Sequence, residues 1–395
     1  MSSTVFMRIE EPRGRAPRRL ALWDLGFRPF YLLAAWLALL SVPLWVLQFS
    51  GLIRTAWLPS SMWHAHEMVF GYTLAVVIGF LFTAGRNWSG QPTPTGRPLM
   101  ALALLWVAAR LLVLSPWLWA SLLLNLAVPW LAAWGLWRAL HAAGNRRNYF
   151  FVALLLMMGL ASAAVHLQQA GWLELPGLRV GLDLLVFMIA VMAGRVVPMF
   201  SNNGVPGMQA TRLPWLERAA LGTVLLLLAL DLFAVEGAVL AAGLLVTAIA
   251  HGLRLALWQP WKSLPNPLVW VLHLAYAWLP VHLLLRAAAA LGWMAPGPAV
   301  HALTLGVIGL VTLGMITRTA LGHTGRPLRA GPVETAAYLF MALAALLRVL
   351  LPLLLPASLM LAVQASALLW SASFALYLWR YTPLLLRPRA DGQPG

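Results

Sequence analysis

The chain has no cysteine, which rules out disulfides, iron–sulfur clusters, thiolate copper sites and haem attached covalently through C-x-x-C-H. Any metal must be held by histidine, methionine or carboxylate. Charge is scarce as well: only 10% of the 395 residues are Asp, Glu, Lys or Arg, and just 11 of them are acidic. With 62% of residues apolar and a mean hydropathy of +0.81, there is too little polar side chain to cover a surface. The bilayer must be the solvent, and a soluble fold is excluded. Long polar stretches are missing too, so no separate soluble domain is expected.

What is present is a series of apolar runs of about 20 residues, each long enough to cross the hydrocarbon core as a helix. The sequence predicts an all-α polytopic membrane protein with about twelve spans, near residues 27–49, 64–85, 99–115, 117–137, 149–171, 178–200, 215–234, 237–257, 266–291, 298–319, 333–354 and 357–380. Residues 1–26 form a basic lead, 27–381 the membrane domain and 382–395 a tail. The first run follows a long polar lead without an A-x-A signal, so it reads as a retained span. Trp57, Trp63, Trp88, Trp172, Trp215, Trp261 and Trp293 fall near span ends, as interfacial anchors do.

The net charge of +16 is topological. Arg8, Arg13, Arg15, Arg18 and Arg19 precede the first span, and every second connection after it is basic: Arg86 and Arg97; Arg138, Arg146 and Arg147; Arg212 and Arg218; Arg254 and Lys262; Arg318, Arg326 and Arg329. Arg387 and Arg389 lie in the tail, whereas the intervening connections carry little positive charge and one holds Asp231 and Glu236. The positive-inside rule then places both termini in the cytoplasm, as expected of an inner-membrane protein. Nucleic acid is not an expected partner; membrane lipid is.

An internal repeat is visible. His66 is followed by Gly71 and Gly79, and His301 by Gly306 and Gly314 at the same spacings; both segments then reach a Thr-Gly-Arg-Pro-Leu phrase, at Thr95 and at Thr324. Span six ends in Ala193-Gly194-Arg195, matching Ala84-Gly85-Arg86 at the end of span two. Three four-helix units are the expectation. Shared glycine content of packed membrane helices is the alternative.

An ionisable group inside a membrane needs a partner or a job. With both termini inside, His64, His66 and His301 begin inward-running spans, His166 ends an outward-running one, and His282 lies about 24 Å up span nine. Five histidines thus converge on the outer side. Neutral imidazoles from several helices suit haem iron or copper, and simple solvation at the headgroups is the plainer alternative. His64 and His66, two residues apart on a helix, point about 200° apart and do not easily serve one metal. His66 and His301 share the glycine spacing and are the expected haem ligands; His64, His166 and His282 are candidates for a second metal or for distal groups. His141, His251 and His273 read as surface groups near the inner face, and His323 as a candidate of lower rank. Arg86, Arg195 and Arg318 at inner span ends are either anchors or partners for an anion such as a propionate, while Glu67 and Asp183 are candidates to orient an imidazole or relay protons.

The phrase Trp63-His64-Ala65-His66-Glu67-Met68-Val69-Phe70-Gly71, with Asn87-Trp88-Ser89-Gly90 after it, resembles the NnrS family of bacterial membrane proteins. Leu25-Gly26-Phe27-Arg28-Pro29-Phe30 and the segment from His301 through Thr317-Arg318-Thr319-Ala320-Leu321-Gly322-His323 resemble it too, so the likeness covers nearly the whole chain. The resemblance implies a multi-span protein associated with non-covalent haem and with copper, linked to the nitric oxide response and to denitrification, with quinol or another protein as candidate electron donor. A more distant likeness, to the catalytic subunits of haem–copper oxidases and nitric oxide reductases, breaks down at the ligands. Those use paired histidines on helix ten and histidines on six and seven, whereas this chain has one outer histidine on span ten and none on six or seven. A transporter, or a non-catalytic sensor or metal-handling protein, is the competing class.

Overall fold

In a lipid solvent every backbone polar group must be satisfied within the chain, which leaves helices as the outcome for these apolar runs. A computed structural model describes residues 20–53 and 58–393, of which 80% of the fold is helix; among the described residues there is no strand. Arg8, Arg13, Arg15, Arg18, Arg19 and Trp57 lie outside the described residues. The helices are α1 Phe27–Phe49, α2 Ser60–Ser89, α3 Gly96–Val113, α4 Leu118–Ala142, α5 Arg146–Gln169, α6 Gly177–Gly204, α7 Pro214–Leu232, α8 Gly237–Leu257, α9 Pro267–Ala290, α10 Gly297–His323, α11 Pro332–Leu354 and α12 Pro356–Leu386. Each expected span is one helix. Gly90, at φ 64°, stops α2 by turning its N–H back to Arg86, and Pro opens α7, α9 and α11, where a missing N–H costs nothing.

Eleven of these helices are long and apolar enough to cross a membrane. The twelfth, α7, has 19 residues but carries Glu217, Arg218 and Asp231. Two of those charges are neutralised across helices, Glu217 by Arg254 and Asp231 by Arg286, each at 2.5 Å. Arg254, expected as a basic anchor, is instead 1% exposed; it also donates to Tyr276 and to the Ala190 carbonyl, both at 2.8 Å.

The twelve helices form three units, α1–α4, α5–α8 and α9–α12. In each, the first helix packs on the second and the third on the fourth, while the fourth leans on the first helix of the following unit: α4 on α5, α8 on α9, and α12 back on α1. The second helices take the centre, α2 touching both α6 and α10. The repeated glycines have repeated tasks. A side chain at Gly79 would strike Phe30 and Tyr31 of α1, and one at Gly314 would strike Val271 and Leu272 of α9. Likewise Gly85 admits Leu136 of α4 and Gly194 admits Arg254 of α8. Matching glycines admit matching helices, so the repeat is architectural. Directly after their histidines, α2 and α10 both widen into a π-helical segment, Glu67–Thr73 and Ala302–Gly309.

The chain's ends share one face: the Ala21 N–H donates to the Leu386 carbonyl at 2.9 Å, and Arg28 donates to the Leu385 and Arg387 carbonyls at 2.8 Å. All the basic connections return to this terminal face, and the opposite one is called the far face below. Trp172, Trp215, Trp261 and Trp293 are exposed at helix ends, in keeping with anchoring. Trp63 is buried and Trp88 stacks on Phe151, so these two pack the interior instead.

Candidate functional site at the far face

The far face holds His64, His66, His166, His282 and His301 at one level, but packing divides them into three groups. His64 and His301 line a cavity of about 290 Å³ between α1, α2, α6, α10, α11 and α12. His64 stacks on Trp45 of α1, with ring centroids 4.3 Å apart, and its Nδ1 is buried without a hydrogen-bond partner. The His301 Nδ1–H donates to the Gly297 carbonyl at 2.8 Å, one helical turn back. That bond fixes the tautomer and leaves Nε2 as a free lone pair, the arrangement in which histidine binds metals. Trp45, Tyr72, Ile308 and Trp370 furnish the walls. Tyr72 is held against α10 by a 2.5 Å hydrogen bond to the Thr312 hydroxyl.

His66 does not line this cavity. His64 and His66 diverge as their spacing requires, and His66 turns toward α5, its ring centroid 5.1 Å from that of His166. Both rings are fully enclosed and every ring nitrogen is engaged. The His66 Nδ1–H donates to Glu67 at 3.0 Å and its Nε2 accepts from the Ser162 hydroxyl at 3.1 Å; the His166 Nδ1–H donates to the Ser162 carbonyl at 2.9 Å and its Nε2 accepts from Ser121 at 2.9 Å. Glu67 also takes Arg110 of α3 at 2.8 Å, and Arg110 continues to Asn125 of α4. Glu67 thus orients an imidazole, that of His66, within a closed network that joins the first unit to α5 of the second.

His282 stands apart, donating to the Ala299 carbonyl at 2.7 Å and so pinning the start of α10. Near it, Asp183 of α6 and Asp231 of α7 share Arg286 of α9, at 3.7 and 2.5 Å, and Arg179 approaches Asp231 at 3.5 Å. Asp183 therefore orients no histidine. Among the described residues no group of three or more His, Asp or Glu side chains is arranged to hold a metal ion.

The arginines expected to meet an anion lie at the other end. Arg86 is about 20 residues, or roughly 30 Å, beyond His66 on α2. Arg195 donates to Asn148 at 2.7 Å, and Arg318 lies over the Phe200 ring at 3.7 Å. Arg195 and Arg318 serve packing at the terminal face, as does His323 beside Phe27. His141 is a surface group hydrogen-bonded to Tyr149, as expected. His251 and His273, expected at the surface, are buried, because Tyr276 and Ser201 on neighbouring helices supply their partners.

One charged residue of the cavity is absent from the candidates read from the sequence. Arg348 of α11 lines the cavity with His64 and His301, and no carboxylate, hydroxyl or carbonyl bonds its guanidinium among the described residues. An arginine inside a membrane helix costs on the order of 2.5–3.5 kcal/mol, so an unpaired one facing a cavity points to something that enters it. Its signal in the sequence is a lone charge deep in span eleven.

Residues 21–389 of the chain match the model of a family described as NnrS protein. No curated protein matches the chain.

Proposed function

This chain belongs to the NnrS family, and from that premise we propose that it is a haem-containing inner-membrane protein of the nitric oxide response, binding or reducing nitric oxide in the cavity lined by His64 and His301. The observation that carries this reading is the pair of imidazoles on one cavity, one with its Nε2 free and the other with a buried Nδ1 that nothing satisfies. The volume of about 290 Å³ is at the lower edge of ligand sites, about 300–1,000 Å³, and the aromatic walls suit a flat apolar ring. The donors His64 and His301 and the aromatic walls suit a non-covalent haem, for whose whole ring a cavity of this volume would have to widen.

His301 is the residue to hold the iron, since the Gly297 carbonyl already fixes its ring. Haem held there would supply a site for nitric oxide and one-electron chemistry. His64, braced by Trp45, presents the second imidazole to the same space. Tyr72 and Trp370 shield that space from water. Copper finds no comparable set: His66 and His166 are the other close pair, and all four of their ring nitrogens are already hydrogen-bonded. The excess of arginine at the terminal face supports a cytoplasmic location for both termini, and quinol or a protein is the class of electron donor that turnover would need.

The test is visible absorption of the purified protein after haem-replete expression. A Soret band that shifts when nitric oxide is added anaerobically is expected. Protein that is folded but colourless would reject the haem reading and favour transport.

A further inference from the structure

The first and third units present the same problem and solve it differently. In the first, Arg110 of α3 is neutralised by Glu67, the residue after His66. In the third, Arg348 comes from the corresponding third helix, but the residue after His301 is Ala302. The carboxylate is missing from the chain at that place, and there the helices leave a cavity.

We propose that the cavity accepts an amphiphile bearing a carboxylate, whose apolar body lies among Trp45, Ile308 and Trp370 and whose carboxylate takes on Arg348 the place that Glu67 holds on Arg110. A guanidinium binds a carboxylate through two parallel N–H bonds, which specifies the head group as well as its charge. A small inorganic anion would satisfy the charge but leave the apolar walls empty, and a cation is repelled. Two sources share this chemistry: a porphyrin propionate and a free fatty acid. The inference rests on the haem reading only for the first of them.

The experiment uses the full-length protein in uncharged detergent and three probes. Metal-free protoporphyrin IX carries two propionates and no iron, so imidazole ligation plays no part; its dimethyl ester has the same ring without charge; oleate is the fatty acid. Wild-type protein should bind protoporphyrin IX about 10- to 100-fold more tightly than the diester, the worth of a charge-assisted bond. Arg348→Gln should erase that preference while the diester affinity stays unchanged. Oleate should displace protoporphyrin IX from the wild type and not from Arg348→Gln. If Arg348→Gln does not fold, Arg348→Lys replaces it and should keep part of the preference. Oleate binding that depends on Arg348, with neither porphyrin bound, supports the carboxylate site and rejects the haem reading. Equal binding of both porphyrins by wild type, with no effect of oleate, overturns the carboxylate site and leaves the haem reading standing.

Discussion

The first and third units share a central helix that begins with a histidine, widens into a π segment and carries glycines at the same spacings, yet His66 sits among groups that are all paired while His301 faces a cavity that both units line. In the first, His66, Glu67, Arg110, Asn125 and Ser121, together with Ser162 and His166 from the adjoining α5, satisfy one another, and none of the hydrogen-bonding capacity of the two rings is left for a ligand. In the third, His301 keeps a free Nε2 and Arg348 a free guanidinium. The difference shows what one acid does in this frame: with Glu67 in place the polar cluster satisfies itself, and with Ala302 at the matching position a guanidinium is left facing a cavity. π-helical segments are frequent at functional sites; here one of the two is structural.

Four experiments test that division. The largest expected effect is on cofactor retention: His301→Ala should abolish the Soret absorbance per mole of protein, whereas His66→Ala should leave it. Loss in His66→Ala alone would assign the haem to the first unit instead. Next, Glu67→Ala strands the Arg110 charge and should destabilise the protein by about 3–5 kcal/mol, while Glu67→Leu combined with Arg110→Met should recover most of this; thermal unfolding in detergent reads both. An equal penalty in the single and the double variants would contradict the account of the closed network. Third, Ala302→Glu restores the missing acid to the third unit and should weaken protoporphyrin IX binding about tenfold, within the worth of a charged hydrogen bond; undiminished affinity would show that the match between units stops at the backbone. The smallest effect is that of Tyr72→Phe, which removes the bond to Thr312 and should cost about 0.5–1.5 kcal/mol in the same thermal assay.

Much of the architecture was legible before any coordinates because a bilayer imposes a length code: runs of about 20 apolar residues and alternating basic connections name the spans and their sense. Even α7, with three charges, was found by its place in the alternation, and the glycine spacings revealed the units because close helix packing leaves few other residues to choose. The histidines were legible as a layer, since depth follows from residue count. Their grouping was not. Which face of α2 carries the ligand depends on rotation about the helix, and His66 matches His301 in spacing while His64 shares its cavity. Arg348 stayed hidden because isolation is a relation: one charged residue among twenty-seven basic ones becomes conspicuous only when every neighbouring carboxylate is seen to be elsewhere. His251 and His273 were misplaced for the same reason, their partners Tyr276 and Ser201 lying on other helices.

The closing of the ring by α12 against α1 has a consequence for biogenesis. The cavity wall draws on Val42 and Trp45 from the first helix and on Val363 and Trp370 from the last. During synthesis the pocket therefore stays incomplete until the final span has entered the bilayer. Closure of the cavity can only follow insertion of all twelve helices, so whatever it encloses is enclosed last.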